Sequence, residues 1–111
     1  MTDIVHTEEL LLATLMVNED AIADIDAIID PSDFYSPVTR TIFEAVQTAA
    51  EHVAMPTMPV VAQQLEQSGR LELVGGWQTL MRISELWSPR SNLVALAEQI
   101  VDAAVLRAIR S

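Results

Sequence analysis

Residues 33–50 read DFYSPVTRTIFEAVQTAA, and this stretch decides the fold class. Ser36 followed by Pro37 is an N-cap with proline at the first helical position, where a missing N–H is harmless and the fixed φ suits a helix. Beyond it Ile42, Phe43, Val46 and Ala50 recur at helical spacing, which predicts an amphipathic helix to about His52, central in the fold.

Toward the N-terminus, Pro31 stops a short helix whose apolar face is Ile22, Ile25, Ile28 and Ile29, with Asp20, Asp24, Asp26 and Asp30 between them. Ahead of it, Thr7 as N-cap predicts a first helix from Glu8 to Val17, with Leu11, Leu12, Leu15 and Met16 inward and acids in its first turn. Toward the C-terminus, Thr57 between Pro56 and Pro59 opens a helix with Val60, Val61 and Leu65 inward, which Gly69 closes. Leu71 to Gly76 form a turn, and a fifth helix from Trp77 to Trp87 carries Leu80, Ile83 and Leu86 on one face until Pro89 ends it. A last helix from Ser91 to the end of the chain has apolar residues on more than one stripe, Val105, Leu106 and Ile109 among them, and no glycine or proline stop. It is expected to have been cut while still running. The chain is therefore expected to be an all-α, compact bundle of about six helices, with Phe34, Tyr35 and Phe43 anchoring the core.

Composition agrees with that expectation. In 111 residues half are apolar, only three are glycine, and there is room for one domain. The chain has no cysteine and no lysine, since all six basic residues are arginine. Disulfides, zinc-thiolate sites, Schiff bases and a phosphate-loop lysine are thereby excluded. Residues 1–55 hold eleven acids against Arg40 alone, while residues 56–111 hold five acids and five arginines, so the front half carries the whole net charge of −10. Such a surface repels nucleic-acid phosphates, and neither direct nucleic-acid binding nor a membrane span is expected. A cytoplasmic location is expected.

No constellation points to catalysis. The carboxylates at 20, 24, 26 and 30 lack the glycine and closing glutamate of a calcium loop. His6 and His52 have no ligand partner at helical spacing, so no metal is expected. The serines lie in cap or helix-face contexts without a nucleophile elbow. A helix-turn-helix reader built on Trp77 onward would have Arg82 as its only base, too few for a groove-binding helix.

Several segments, in order, resemble a known family. Asp33-Phe34-Tyr35 followed by Pro37, Arg40, Ile42, Phe43, Glu44 and Ala45 looks like the Asp-Phe-Tyr motif of the N-terminal domain of bacterial replicative DNA helicases, the DnaB family. Glu8 with Leu12 and Leu15 resembles its opening helix. Gly69, Leu71-Glu72 and Val74-Gly75-Gly76 resemble its Gly-x-Leu-Glu-x-x-Gly-Gly turn, and Asn92, Ala97, Ile100, Val101, Arg107 and Ile109 its next helix. The likeness covers residues 7 to 110. Thr39 replaces the family's usual histidine, Ala13 a frequent glycine, and the family's proline-rich lead-in is missing.

The resemblance implies a non-catalytic head, residues 1–90, followed at 91–111 by the first arm of a helical hairpin through which copies pair. In the family such pairs build a trimer-of-dimers collar on the hexamer and help dock the C-terminal domain of primase, in some systems also a helicase loader. ATP and magnesium belong to the separate motor domain, so no cofactor is expected here. Asp33, Phe34, Tyr35, Arg40, Phe43, Gly75 and Gly76 would be motif and core residues, and Leu96, Ile100, Val105, Leu106 and Ile109 the oligomer interface. The alternative reading is a freestanding helical adaptor or inhibitor that mimics the helicase head.

Overall fold

The computed structural model describes all residues except 1, 2, 19, 20, 54, 55, 89–91 and 111. Six α-helices follow one another: α1 (Ile4–Leu15), α2 (Ala21–Asp26), α3 (Pro37–Val53), α4 (Met58–Gln67), α5 (Gly76–Ser84) and α6 (Leu93–Arg110), with 3-10 turns at Pro31–Asp33 and Glu72–Val74. No strand occurs among the described residues.

Helix α1 starts a turn earlier than expected. The Asp3 carboxylate, not Thr7, accepts from the Val5 amide at 3.0 Å, and Thr7 is buried inside the helix with its hydroxyl on the Asp3 carbonyl. Both residues are good caps, and the inward stripe decides between them. Leu11, Leu12, Ala13 and Leu15 are fully buried, and α1 packs on α3, α5 and α6, so α1 is at least as central as α3.

Helix α2 is shorter than expected. Amides 28 and 29 both return to the Ile25 carbonyl, and Asp30 is diverted to cap the next turn, accepting from the Ser32 amide and hydroxyl while Asp33 accepts from the Asp30 amide. Two-way capping of this kind favours a new turn over continuation of the old helix. Ile25 and Ile29 are buried, but Ile28 is exposed. Asp20 lies outside the described residues, as do Pro89 and Ser91.

Helix α3 begins where Ser36-Pro37 places it, with the Ser36 hydroxyl accepting from the Val38 amide at 3.2 Å. Helix α4 ends at Gly69, where the Arg70 amide returns to the Leu65 carbonyl at 2.8 Å. Helix α5 stops at Ser84, so Trp87 stands outside it and the two tryptophans do not share a helix. Asn92 caps α6, its side-chain oxygen accepting from the Ala95 amide at 3.1 Å. One core unites all six helices, with the Phe34 and Phe43 rings 4.8 Å apart at its centre.

Candidate functional site

The Asp-Phe-Tyr loop between the first 3-10 turn and α3 is held by charged side chains from three helices. From α1, Glu8 accepts from the Tyr35 amide at 2.6 Å, the Ser36 amide at 3.2 Å and the Thr39 hydroxyl at 2.6 Å. From α3, Arg40 Nη2 donates to the Phe34 carbonyl at 2.9 Å. From α6, Arg107 Nη2 donates to the Asp33 carbonyl at 2.8 Å, and its guanidinium stands 5.3 Å from the centre of the Tyr35 ring. These bonds span up to 74 positions in sequence and pin three consecutive backbone units to the bundle.

Glu8 is fully buried, yet all of its contacts are donors, which is the condition under which a buried carboxylate is tolerated. It accepts from the two amides just ahead of α3 and from the Thr39 hydroxyl in its first turn, where the partial positive charge of the helix end favours it. Glu8 is thus an interior residue of α1 and not an acid of its first turn, and the sequence carries the signal in its spacing: Glu8 lies three and four residues before Leu11 and Leu12, on the inward stripe. Thr39 supplies the hydroxyl that faces it and is itself fully buried. The Arg40 Nε is buried with no partner among the described residues.

The motif residues separate by environment. Phe34 and Phe43 are fully buried, whereas Tyr35 is 56% exposed and contributes its backbone and one ring face, not core volume. That corrects the expectation of a core tyrosine. Gly75 and Gly76 both have left-handed φ, +99° and +74°, and a Cβ on Gly75 would lie 2.1 Å from the Thr79 hydroxyl. The pair makes the turn that lets α5 start directly after the Glu72–Val74 turn.

Helix α6 is divided along its length. Leu96, Ala97 and Ile100 are buried against the rest of the bundle, so Leu96 and Ile100 belong to this chain's own core rather than to an exposed interface. Val105, Leu106 and Ile109 are 52%, 52% and 74% exposed. Half-buried Arg107, between Leu106 and Ile109 in sequence, turns its side chain back to the loop, a role that its sequence position did not disclose.

Two ion pairs lie elsewhere among the described residues. Arg82 on α5 meets Glu9 on α1 in a two-pronged contact at 2.7 and 3.1 Å, which raises the arginine further above its ordinary range. Arg70 faces Glu44 at 3.7 Å. No cluster of histidine and acids able to hold a metal occurs among the described residues, and no described helix is long and apolar enough to cross a membrane.

The sequence pattern of the DnaB-like helicase N terminal domain matches residues 2–102. The chain is 25% identical over 100 residues to the replicative DNA helicase DnaB of Leifsonia xyli subsp. xyli, covering 90% of this chain and 22% of that protein. It is 24% identical over 103 residues to DnaB of Geobacillus stearothermophilus, covering 93% of this chain and 23% of the relative. The chain thus spans less than a quarter of these relatives. Among solved structures, the N-terminal domain of DnaB helicase from Mycobacterium tuberculosis superposes with a TM-score of 0.86 at 25% identity, covering 93% of this chain and 74% of that one. The N-terminal domain of DnaB helicase from Helicobacter pylori, described with its interactions with primase, has a TM-score of 0.80 at 22% identity, covering 96% and 82%.

Proposed function

The chain belongs to the family of DnaB-like helicase N-terminal domains, and from that premise we propose that it is the non-catalytic interaction head of a replicative helicase, pairing with other copies through α6 and docking primase or a loader. The observation that carries this reading is the division of α6. In its first half Leu96, Ala97 and Ile100 are buried against the head, while Val105, Leu106 and Ile109 stand in water on its last two turns. Exposed apolar side chains repeated along one helix are what a pairing helix presents.

In this reading residues 1–90 act as the head and 91–111 as the first arm of a helical hairpin. Leu96 and Ile100 are taken by the head core, so pairing is confined to the exposed end. The three-helix clasp on the Asp-Phe-Tyr loop then has a purpose: through Arg107 it fixes the direction in which that end leaves the head. Pairs would assemble into a trimer-of-dimers collar in the full hexamer. No cofactor is assigned to these residues, since ATP and magnesium would serve the motor domain, and the location is cytoplasmic.

Primase docking is supported by the Helicobacter pylori relative, whose domain interacts with primase. A calorimetric titration of the chain with the C-terminal domain of a bacterial primase tests it. Saturable binding that survives added salt agrees with the proposal, and no binding at the highest attainable concentration contradicts its docking part.

A further inference from the structure

A second apolar patch lies away from α6, at the corner where α4, the Glu72–Val74 turn and α5 meet. Leu73 is 72% exposed, and Trp77 and Met81, one helical turn apart on α5, share an outer face. Trp77 also lines a groove of about 380 Å³ with Glu66, Leu71 and Glu72. The arginines near this corner do not neutralise it. Arg70 faces Glu44 and Arg82 is held by Glu9, so Glu66 and Glu72 have no ion-pair partner among the described residues.

We infer that this groove is a docking site for a cationic segment of a partner protein with apolar flanks, an arginine or lysine of which lies on the Trp77 ring between the Glu66 and Glu72 carboxylates. A cation over an indole face is the strongest of the cation–π arrangements, and two uncompensated carboxylates beside it select a positive side chain. Leu73, next to Glu72 in sequence, and Met81, one helical turn beyond Trp77, are exposed and offer apolar surface for the flanks, and tryptophan is a residue type in which binding energy concentrates. Nucleic acid is the wrong occupant, because both carboxylates would face its phosphates. A second copy docked symmetrically on the same patch would bring like charges together. None of these residues lies on α6, so the inference stands or falls apart from the pairing proposal.

The test is an NMR titration of the ¹⁵N-labelled chain with a short synthetic peptide repeating Leu-Arg-Ala-Leu, alongside matched peptides carrying glutamate for arginine or serine for leucine. The expected result is saturable shifts confined to amides between 66 and 81 with the first peptide and none with the controls. Glu66→Gln with Glu72→Gln, both exposed and unpaired, should weaken binding about tenfold or more. Trp77→Ala should do the same. Asp24→Asn with Glu51→Gln, the same change of charge on another exposed surface, should leave binding unchanged. The inference is overturned if no peptide binds, if shifts centre on the acidic residues of α2, if both double variants weaken binding equally, if the serine peptide binds as well, or if Trp77→Ala instead abolishes self-association of the chain.

Discussion

The Glu8 carboxylate accepts the Tyr35 amide at 2.6 Å across 27 positions of sequence, with no water-exposed surface on Glu8 at all. One oxygen serves Tyr35, and the other serves both Ser36 and Thr39. Every acceptor position that matters is therefore used, and an amide in place of the carboxylate would turn an NH₂ toward a donor.

Glu8→Gln should accordingly destabilise the chain by about 1–3 kcal/mol, the range for leaving a buried donor unpaired. Chemical denaturation measures it, and a change below about 0.5 kcal/mol, the size of an ordinary surface substitution, would show that the buried carboxylate does not hold the α1–α3 junction.

The two aromatic neighbours of that junction should behave oppositely. Phe43→Ala opens a cavity beside Phe34 and should cost about 3–5 kcal/mol, as for buried aromatics generally. Tyr35→Ala removes an exposed ring and one cation–π contact, worth about 0.5–1 kcal/mol. Equal losses for the two variants would contradict the assignment of Tyr35 to the surface.

Most of the helical framework was legible before the structure, because local chemistry sets it. Ser36-Pro37 marks a helix start wherever the rest of the chain goes, and the stripe around Phe43 can only face inward. What was illegible depends on partners distant in sequence. Glu8 reads as one of two ordinary first-turn acids until Thr39 and the Tyr35 and Ser36 amides face it. Arg107 reads as a surface base until the fold brings the Asp33 carbonyl within reach. Tyr35 has an anchored backbone and an exposed ring, and an aromatic beside buried Phe34 gives no local sign of that difference. The end of α2 is not legible locally because Asp30 has two competing uses, and capping of the following turn prevails.

Asp30 provides a pH test. The Ser32 hydroxyl, and after it the Ser32 amide, hold its carboxyl below the ordinary range. A depressed folded-state value means that the stabilisation is present above the unfolded-chain value of about 3.9 and is lost as pH falls through the folded one. The gap in melting midpoint between the parent chain and Asp30→Ala should thus be steady at neutral pH and narrow as pH drops below about 4. A gap that stays constant or widens in acid would mean that the cap does not act through the ionised carboxylate.

The central claim is that α6 ends in a pairing surface, and sedimentation equilibrium of the parent chain beside Leu106→Asp tests it most directly. Leu106 is 52% exposed and lies outside the buried core, so aspartate there should leave helicity and melting midpoint nearly unchanged while abolishing association. The account predicts a weak, concentration-dependent dimer for the parent and a monomer for the variant. A parent chain that stays monomeric at high concentration, or a Leu106→Asp chain that unfolds, would contradict it.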